Sequence, residues 1–312
     1  MDNDYPARLP KCFDPRLLAK LKSLSIRARR VVDGYMAGVH RSAARGGSLE
    51  FAQHREYAPG DDPRYVDWKA FARTGRLQLK QFEDETNLVL YLVVDASASM
   101  DYRGPKADWT KREYAASLAA SVAWLAMANH DAVSLTLVGS EDATPSPPSM
   151  NPGQFRDFCK QLETSRAATK GETSPLAGLA RSLRRRGVIL LLTDALCDLE
   201  ALRGDLGQLT HRGHEVRLVH LLDDAEIDFP FTQAASFENL ESGVVTAADP
   251  IAIADAYRQE VEAFLGQLKG ICSARRVGYL QARTSDSLEG PLRFLLSGHV
   301  APLQRSSIVR NR

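Results

Sequence analysis

Three short stretches of this chain place oxygen donors where a hard cation could use them. Asp95-Ala96-Ser97-Ala98-Ser99-Met100 follows the apolar run LVLYLVV and offers a carboxylate and two hydroxyls at alternate positions. Thr193-Asp194 closes a second apolar run, VILLL, with another carboxylate. Between them lies Gly171-Glu172-Thr173-Ser174-Pro175, where Thr173 supplies a further hydroxyl. Mg²⁺ takes near-octahedral oxygen ligands at about 2.0–2.1 Å and keeps several waters. Asp95, Ser97, Ser99, Thr173 and Asp194 meet that demand while neutralising the ion only in part. Mn²⁺ or Ca²⁺ could use the same set. A cation held mainly by neutral hydroxyls stays electrophilic, so its open position suits an acidic side chain on a protein partner. The plainer use of Asp95 and the serines is to cap the helix that follows them.

These donors meet only if the elements beneath them bring separate segments to one edge. Residues 88–94 are continuously apolar, the pattern of a strand buried on both faces of a sheet. Residues 76–84 alternate instead, as a half-exposed edge strand does. Thereafter the apolar spacing predicts helices over 111–129, 154–162, 175–186, 199–212, 250–269 and 288–296. It predicts strands over 132–138, 188–193, 215–222 and 276–281. Strands joined through helices imply an α/β fold with a doubly wound, mostly parallel sheet, and such sheets bind ligands outside the carboxyl ends of their strands. Residues 1–75 form an N-terminal basic helical and loop region, 76–300 the α/β domain, and 301–312 a tail. Arg184-Arg185-Arg186-Gly187 reads as a helix end with a glycine stop, and His211-Arg212-Gly213-His214 as another.

The spacing DxSxS, then Thr, then a strand-terminal Asp resembles the metal-ion-dependent adhesion site of von Willebrand factor A domains. That resemblance implies direct ligation by Ser97, Ser99 and Thr173, with Asp95 and Asp194 acting often through water. The chain departs from that pattern after Thr173, where Ser-Pro-Leu replaces the usual Asp/Asn-Leu. A longer block, GxHRSxxRGGSLEFxxHREYAPGDDPRYVDWKAFARTGRLQLKQFEDE, resembles the bacterial family catalogued as domain of unknown function 58, in its short soluble form. The likeness continues through Asp223–Pro230 and Glu241–Gly243. Membership implies a von Willebrand factor A-like domain, work beside a MoxR-type AAA+ ATPase, and no established activity.

Within that block, Asp67-Trp68-Lys69 has the D-x-K form of a restriction-type nuclease core, where a lysine activates water beside a metal. Asp61 and Asp62 sit only a few residues away in a Pro/Gly turn, whereas that core draws its first Asp from a distant strand. An Arg–Asp ion-pair network bracing the loop is the simpler reading. A phosphohydrolase with Asp95 as nucleophile is the other enzymatic alternative. It wants D-x-D, and this chain has Asp95-Ala96-Ser97. No G-x-S-x-G elbow or G-x-x-x-x-G-K-[ST] loop occurs. The expectation is therefore a non-enzymatic, metal-dependent protein-interaction module, an adaptor for a MoxR-type ATPase, with a Mg-dependent phosphohydrolase or nuclease as the alternative.

Bulk properties fit that expectation. Across 312 residues the net charge is +1, which gives no overall pull toward nucleic acid or an anionic membrane. Residues 1–50 carry ten Lys/Arg against five Asp/Glu, a solvated basic face. The four cysteines, Cys12, Cys159, Cys197 and Cys272, are too scattered for a zinc site or a disulfide framework and read as reduced thiols. No run approaches the ~20 apolar residues of a membrane helix, so the expected location is the cytoplasm.

Overall fold

The computed structural model describes residues 23–43, 55–56, 78–79, 89–140, 143–165, 174, 176, 178–233, 235–240 and 242–296. The chain divides into two compact units, Met1–Met36 with Leu88–Val300, and Ala37–Asn87 with Ala301–Arg312. In the second unit β1 (Arg55–Glu56) pairs antiparallel with β2 (Gln78–Leu79). The rest of the 54–75 block, with its proposed ion-pair network and D-x-K triplet, lies outside the described residues.

The first unit is built on five parallel strands. They are β3 (Val89–Asp95), β4 (Ala132–Val138), β5 (Gly187–Thr193), β6 (Glu215–Leu222) and β9 (Gly278–Arg283), in the spatial order β4-β3-β5-β6-β9. Every connection between them crosses over, through α2 (Lys111–Ala128), α3 (Pro152–Thr164), α4 (Leu179–Ser182), α5 (Leu199–His211) and α7 (Pro250–Ala274). A small hairpin of β7 (Ala235–Glu238) and β8 (Val245–Ala248) follows α6 (Asp224–Asp228), and α8 (Glu289–Leu296) closes the unit. The doubly wound α/β sheet expected from the apolar pattern is thus the observed one.

Strand alternation divides the core into two layers. Leu90, Leu92 and Val94 of β3 face α2, α3 and α8, as do Val188, Leu190 and Leu192 of β5. Val89, Tyr91, Val93, Ile189 and Leu191 face α4, α5 and α7. The sequence of α2, KREYAASLAASVAWLAMA, buries fourteen of its eighteen residues. Its alanines and serines let it lie close to the sheet on one side and to α1 (Leu24–Ala43), α3 and α8 on the other. Leu24, Ala28, Val31 and Val32 of α1 are buried in that layer. The backbone N–H of Leu24 donates to Glu163 (2.8 Å), and Arg27 donates to the Ser117 hydroxyl (3.2 Å).

Two local expectations differ from the structure. Instead of a helix over 175–186, the described residues hold one turn, α4, entered through Gly178 in the left-handed region (φ 77°) and left through an extended Leu183. Arg184, Arg185 and Arg186 therefore end no helix, and Gly187 begins β5. Glycine is required there because a Cβ would sit 2.1 Å from the Val89 carbonyl oxygen of β3. The second tetrapeptide, His211-Arg212-Gly213-His214, behaves as expected, with α5 ending at His211 and the chain turning through Gly213 at φ 83°.

Candidate functional site

Reduced to its own five strands, the sheet has the order 2-1-3-4-5, and successive crossovers part to opposite faces between its first and third strands. These are β3 and β5, whose carboxyl ends carry Asp95 and Thr193-Asp194. Val94 pairs with Leu192, so Asp95 and Thr193 stand level one step further on. Both belong to the α5 face by alternation, and the Thr193 hydroxyl donates to Asp95 Oδ2 at 2.6 Å. The other oxygen, Oδ1, accepts the Ser97 N–H at 2.9 Å. That bond turns the chain into a short 3₁₀ segment, Ala98–Asp101, and brings the Ser97 and Ser99 hydroxyls to 3.2 Å from each other. At the end of β4, Gly139 (φ 73°) passes so close that a Cβ would lie 3.0 Å from the Ser97 nitrogen.

Asp95 is 4% exposed. Burial first, then the charge of Asp194, push its carboxyl up to about 6, against the opposing hydrogen bonds from Thr193 and Ser97. Such a carboxylate gains from any cation brought to it.

Asp194 is one residue beyond Thr193 and so turns to the opposite face, that of α2. There Lys111 Nζ, the first helical residue of α2, donates to Asp194 Oδ2 at 2.8 Å and to Glu226 Oε1 at 2.6 Å. Lys111 is 0% exposed and Asp194 1%. Burial lowers the Lys111 pKa and the two carboxylates raise it; the carboxylates win, so the ammonium is retained. Burial outweighs Lys111 at Glu226, whose carboxyl is held above its ordinary range. Glu226 is fixed in turn by a capping box with Asp223 at the start of α6. Asp194 Oδ1 accepts the Leu196 N–H (3.2 Å), across an Ala195 held at φ 54°.

His220 Nε2 lies 2.9 Å from the Asp194 carbonyl and Nδ1 lies 3.0 Å from the Tyr279 hydroxyl. A carbonyl can only accept, so Nε2 carries the proton and Nδ1 accepts from Tyr279. Desolvation pushes this imidazole down to about 4, so it is neutral. Cys197 is no nucleophile: burial, then Asp95 and Asp194, push its thiol up to about 12. Cys159, Cys197 and Cys272 are free thiols, and Cys12 lies outside the described residues.

Arg112, next to Lys111, braces the serine loop. It donates to the carbonyls of Ala96 and Ser97 (both 3.1 Å), to both Asp101 oxygens, and to the carbonyl and hydroxyl of Ser165 at the end of α3. A capping box between Thr110 and Glu113 fixes the turn carrying Lys111 and Arg112.

Of the five residues expected from sequence, Asp95, Ser97 and Ser99 come together at the end of β3, and Asp194 lies at the end of β5 with its carboxylate turned to the α2 face. Thr173 lies outside the described residues. The four present oxygen donors only, which fits a hard cation. Among the described residues no group of three or more His, Cys, Asp or Glu side chains is placed to hold a metal, so any site here needs the hydroxyls. Lys111, Arg112 and Glu226 were not anticipated. A signal was present for Glu226 alone, in the acidic run Asp223-Asp224-Ala225-Glu226 after a buried strand.

Sheet order and strand-end donors define the class: a doubly wound parallel α/β protein with an oxygen-rich site at its switch point. The chain belongs to the family described as protein of unknown function DUF58, which matches residues 53–264. Uncharacterized proteins of Mycobacterium tuberculosis and Mycobacterium bovis are each 28% identical over 291 residues, covering 91% of this chain and 90% of theirs. Among solved structures it is similar to BatB from Bacteroides thetaiotaomicron (TM-score 0.46, 13% identity, 67% of this chain and 97% of that one). It is also similar to the SpRpn10 VWA domain (TM-score 0.39, 12% identity, 66% and 93%). Among the described residues no helix is long and apolar enough to cross a membrane.

Proposed function

We propose that this protein is a non-enzymatic, metal-dependent protein-interaction module, an adaptor that works with a MoxR-type AAA+ ATPase in assembling or remodelling protein complexes in the cytoplasm. Asp95, Ser97, Ser99, Thr173 and Asp194 hold one Mg²⁺, or Mn²⁺ or Ca²⁺ in its place. The observation that carries this reading is the pre-arranged end of β3, with Asp95 tied to Thr193 at 2.6 Å and the Ser97 and Ser99 hydroxyls 3.2 Å apart. The ion, when bound, supplies attraction for a partner's carboxylate. The chain does the rest. Asp95 orients the serine loop through the Ser97 N–H, Ser97 and Ser99 present neutral oxygens, and Arg112 holds the loop carbonyls so that the hydroxyls need not be ordered on binding. The ATPase assignment rests on the family resemblance alone.

Asp95→Ala is expected to abolish Mg²⁺-dependent capture of an acidic-residue-bearing partner while circular dichroism stays unchanged. Pull-down against a co-expressed MoxR-type ATPase, with and without chelator, tests this. Equal capture in every condition defeats the reading. Phosphate-ester hydrolysis that vanishes with Asp95 would favour the phosphohydrolase instead.

A further inference from the structure

The buried Lys111 is a feature of the site for which the proposed function has no use. Placing an ammonium at 0% exposure costs far more than placing it at the surface. Its two carboxylate partners come from different elements, Asp194 from the end of β5 and Glu226 from α6, which is 19% exposed on its side chain. Lys111 takes Asp194 Oδ2 and the Leu196 N–H takes Oδ1, so neither Asp194 oxygen points free at the switch point. Asp95 is within electrostatic reach of Asp194. The inner site is therefore two carboxylates and one fixed cation, with Glu226 drawing part of that cation's charge away.

Resting on the metal reading above, we infer that Lys111 is a positioning residue and built-in counter-charge. It restrains Asp194 and sets how tightly the site takes a divalent ion and what net charge the loaded site keeps. With Asp95, Asp194 and Glu226 ionised, the three carboxylates and Lys111 sum to two negative charges. A divalent ion brings that sum to zero, so Lys111 is what keeps the loaded site from being negative and from repelling an acidic ligand. Without Lys111 the loaded site carries one negative charge, and the ion is held more firmly by Asp194 while its pull on a partner weakens. Glu226 works the other way: removing its charge leaves Lys111 wholly to Asp194.

The test is a calorimetric titration of the full-length protein with Mg²⁺ alone, with Mn²⁺ titrations followed by electron paramagnetic resonance as a second readout. Lys111→Met is expected to bind the ion at least about tenfold more tightly than wild type. Glu226→Gln is expected to bind several-fold more weakly, and Lys111→Arg to stay near wild type. Opposite shifts are the signature, because both variants break the same ion pair and a purely structural role would weaken binding in both. Should Lys111→Met fail to fold, a Glu226→Gln protein that binds as tightly as wild type overturns the inference on its own. If wild type binds and Lys111→Met is unchanged or weaker, the inference falls and the metal site stands. If wild type takes up no ion, the metal reading itself fails and this inference goes with it.

Discussion

Asp95 is where the chemistry of a single residue becomes measurable. Its carboxyl titrates at about 6 in the folded protein against an ordinary 3.8. The folded state thus holds the proton more tightly than the unfolded chain does. Below about pH 4 both states are protonated and the group contributes nothing. Between about 4 and 6 the unfolded chain ionises first, so stability falls as pH rises, and above 6 the loss is complete. Asp95→Asn removes that charge and is expected to stabilise the ion-free protein above about pH 7 by on the order of 1–3 kcal/mol. Thr193 keeps a partner by accepting from the new amide. A urea denaturation series across pH checks both the gain and the flattening of the decline; a variant less stable than wild type above pH 7 would contradict it. If the site takes a divalent ion as proposed, the same linkage predicts an affinity that rises with pH up to about 6 and levels off beyond, since ion and proton compete for one carboxylate.

Elements, rather than residues, carry the contact between β3 and β5. At the amino ends of these strands Gly187 pairs with Val89 so closely that a methyl group would meet the carbonyl oxygen at 2.1 Å. Backbone cannot step aside as a side chain can. Gly187→Ala should lower the urea midpoint by the equivalent of about 1–3 kcal/mol. The clash is at the end remote from Asp95, so ion affinity per folded molecule should not change; loss of affinity without loss of stability would show the strand ends to be coupled in a way the sheet does not predict. Elements of this kind were legible in the sequence wherever burial was two-sided. The continuous apolar runs of β3 and β5 and the alanine-rich α2 are readable because the sheet leaves them no polar choice. The hairpin of β7 and β8 was not foreseen, since Val245, Thr246 and Ala247 are exposed and follow no burial pattern. The segment 175–186 read as helix because its leucines are spaced for one, but Gly178 adopts a left-handed conformation that interrupts it. Asp95, Ser97, Ser99 and Asp194 were readable as strand-end donors. Lys111 was not, because its burial comes from Asp194 and Glu226, 83 and 115 residues further along. By itself the start of α2 looks like an ordinary solvated cap.

For the molecule as a whole, the first unit depends on a helix contributed from far upstream. Leu24, Ala28, Val31 and Val32 close the outer side of the α2 layer, and Arg29 lies 4.4 Å over the Trp124 ring. Deleting residues 1–36 uncovers that layer and should remove roughly 5–9 kcal/mol of stability, taking about 1.5–3 kcal/mol for each of the three larger aliphatics. Thermal unfolding and binding of a hydrophobic dye report it, and an unchanged midpoint would mean that the α1 contacts are dispensable. The first turn of α2 has a related importance. Lys111 reaches Asp194 and Glu226, Arg112 reaches the carbonyls beneath Ser97, and two hydrogen bonds between Thr110 and Glu113 keep both in place. Fraying of that single turn would release both halves of the strand-end cluster in one event. The integrity of the cluster therefore cannot outlast a helix terminus, and a threonine with no oxygen in the cluster helps decide how often it is assembled.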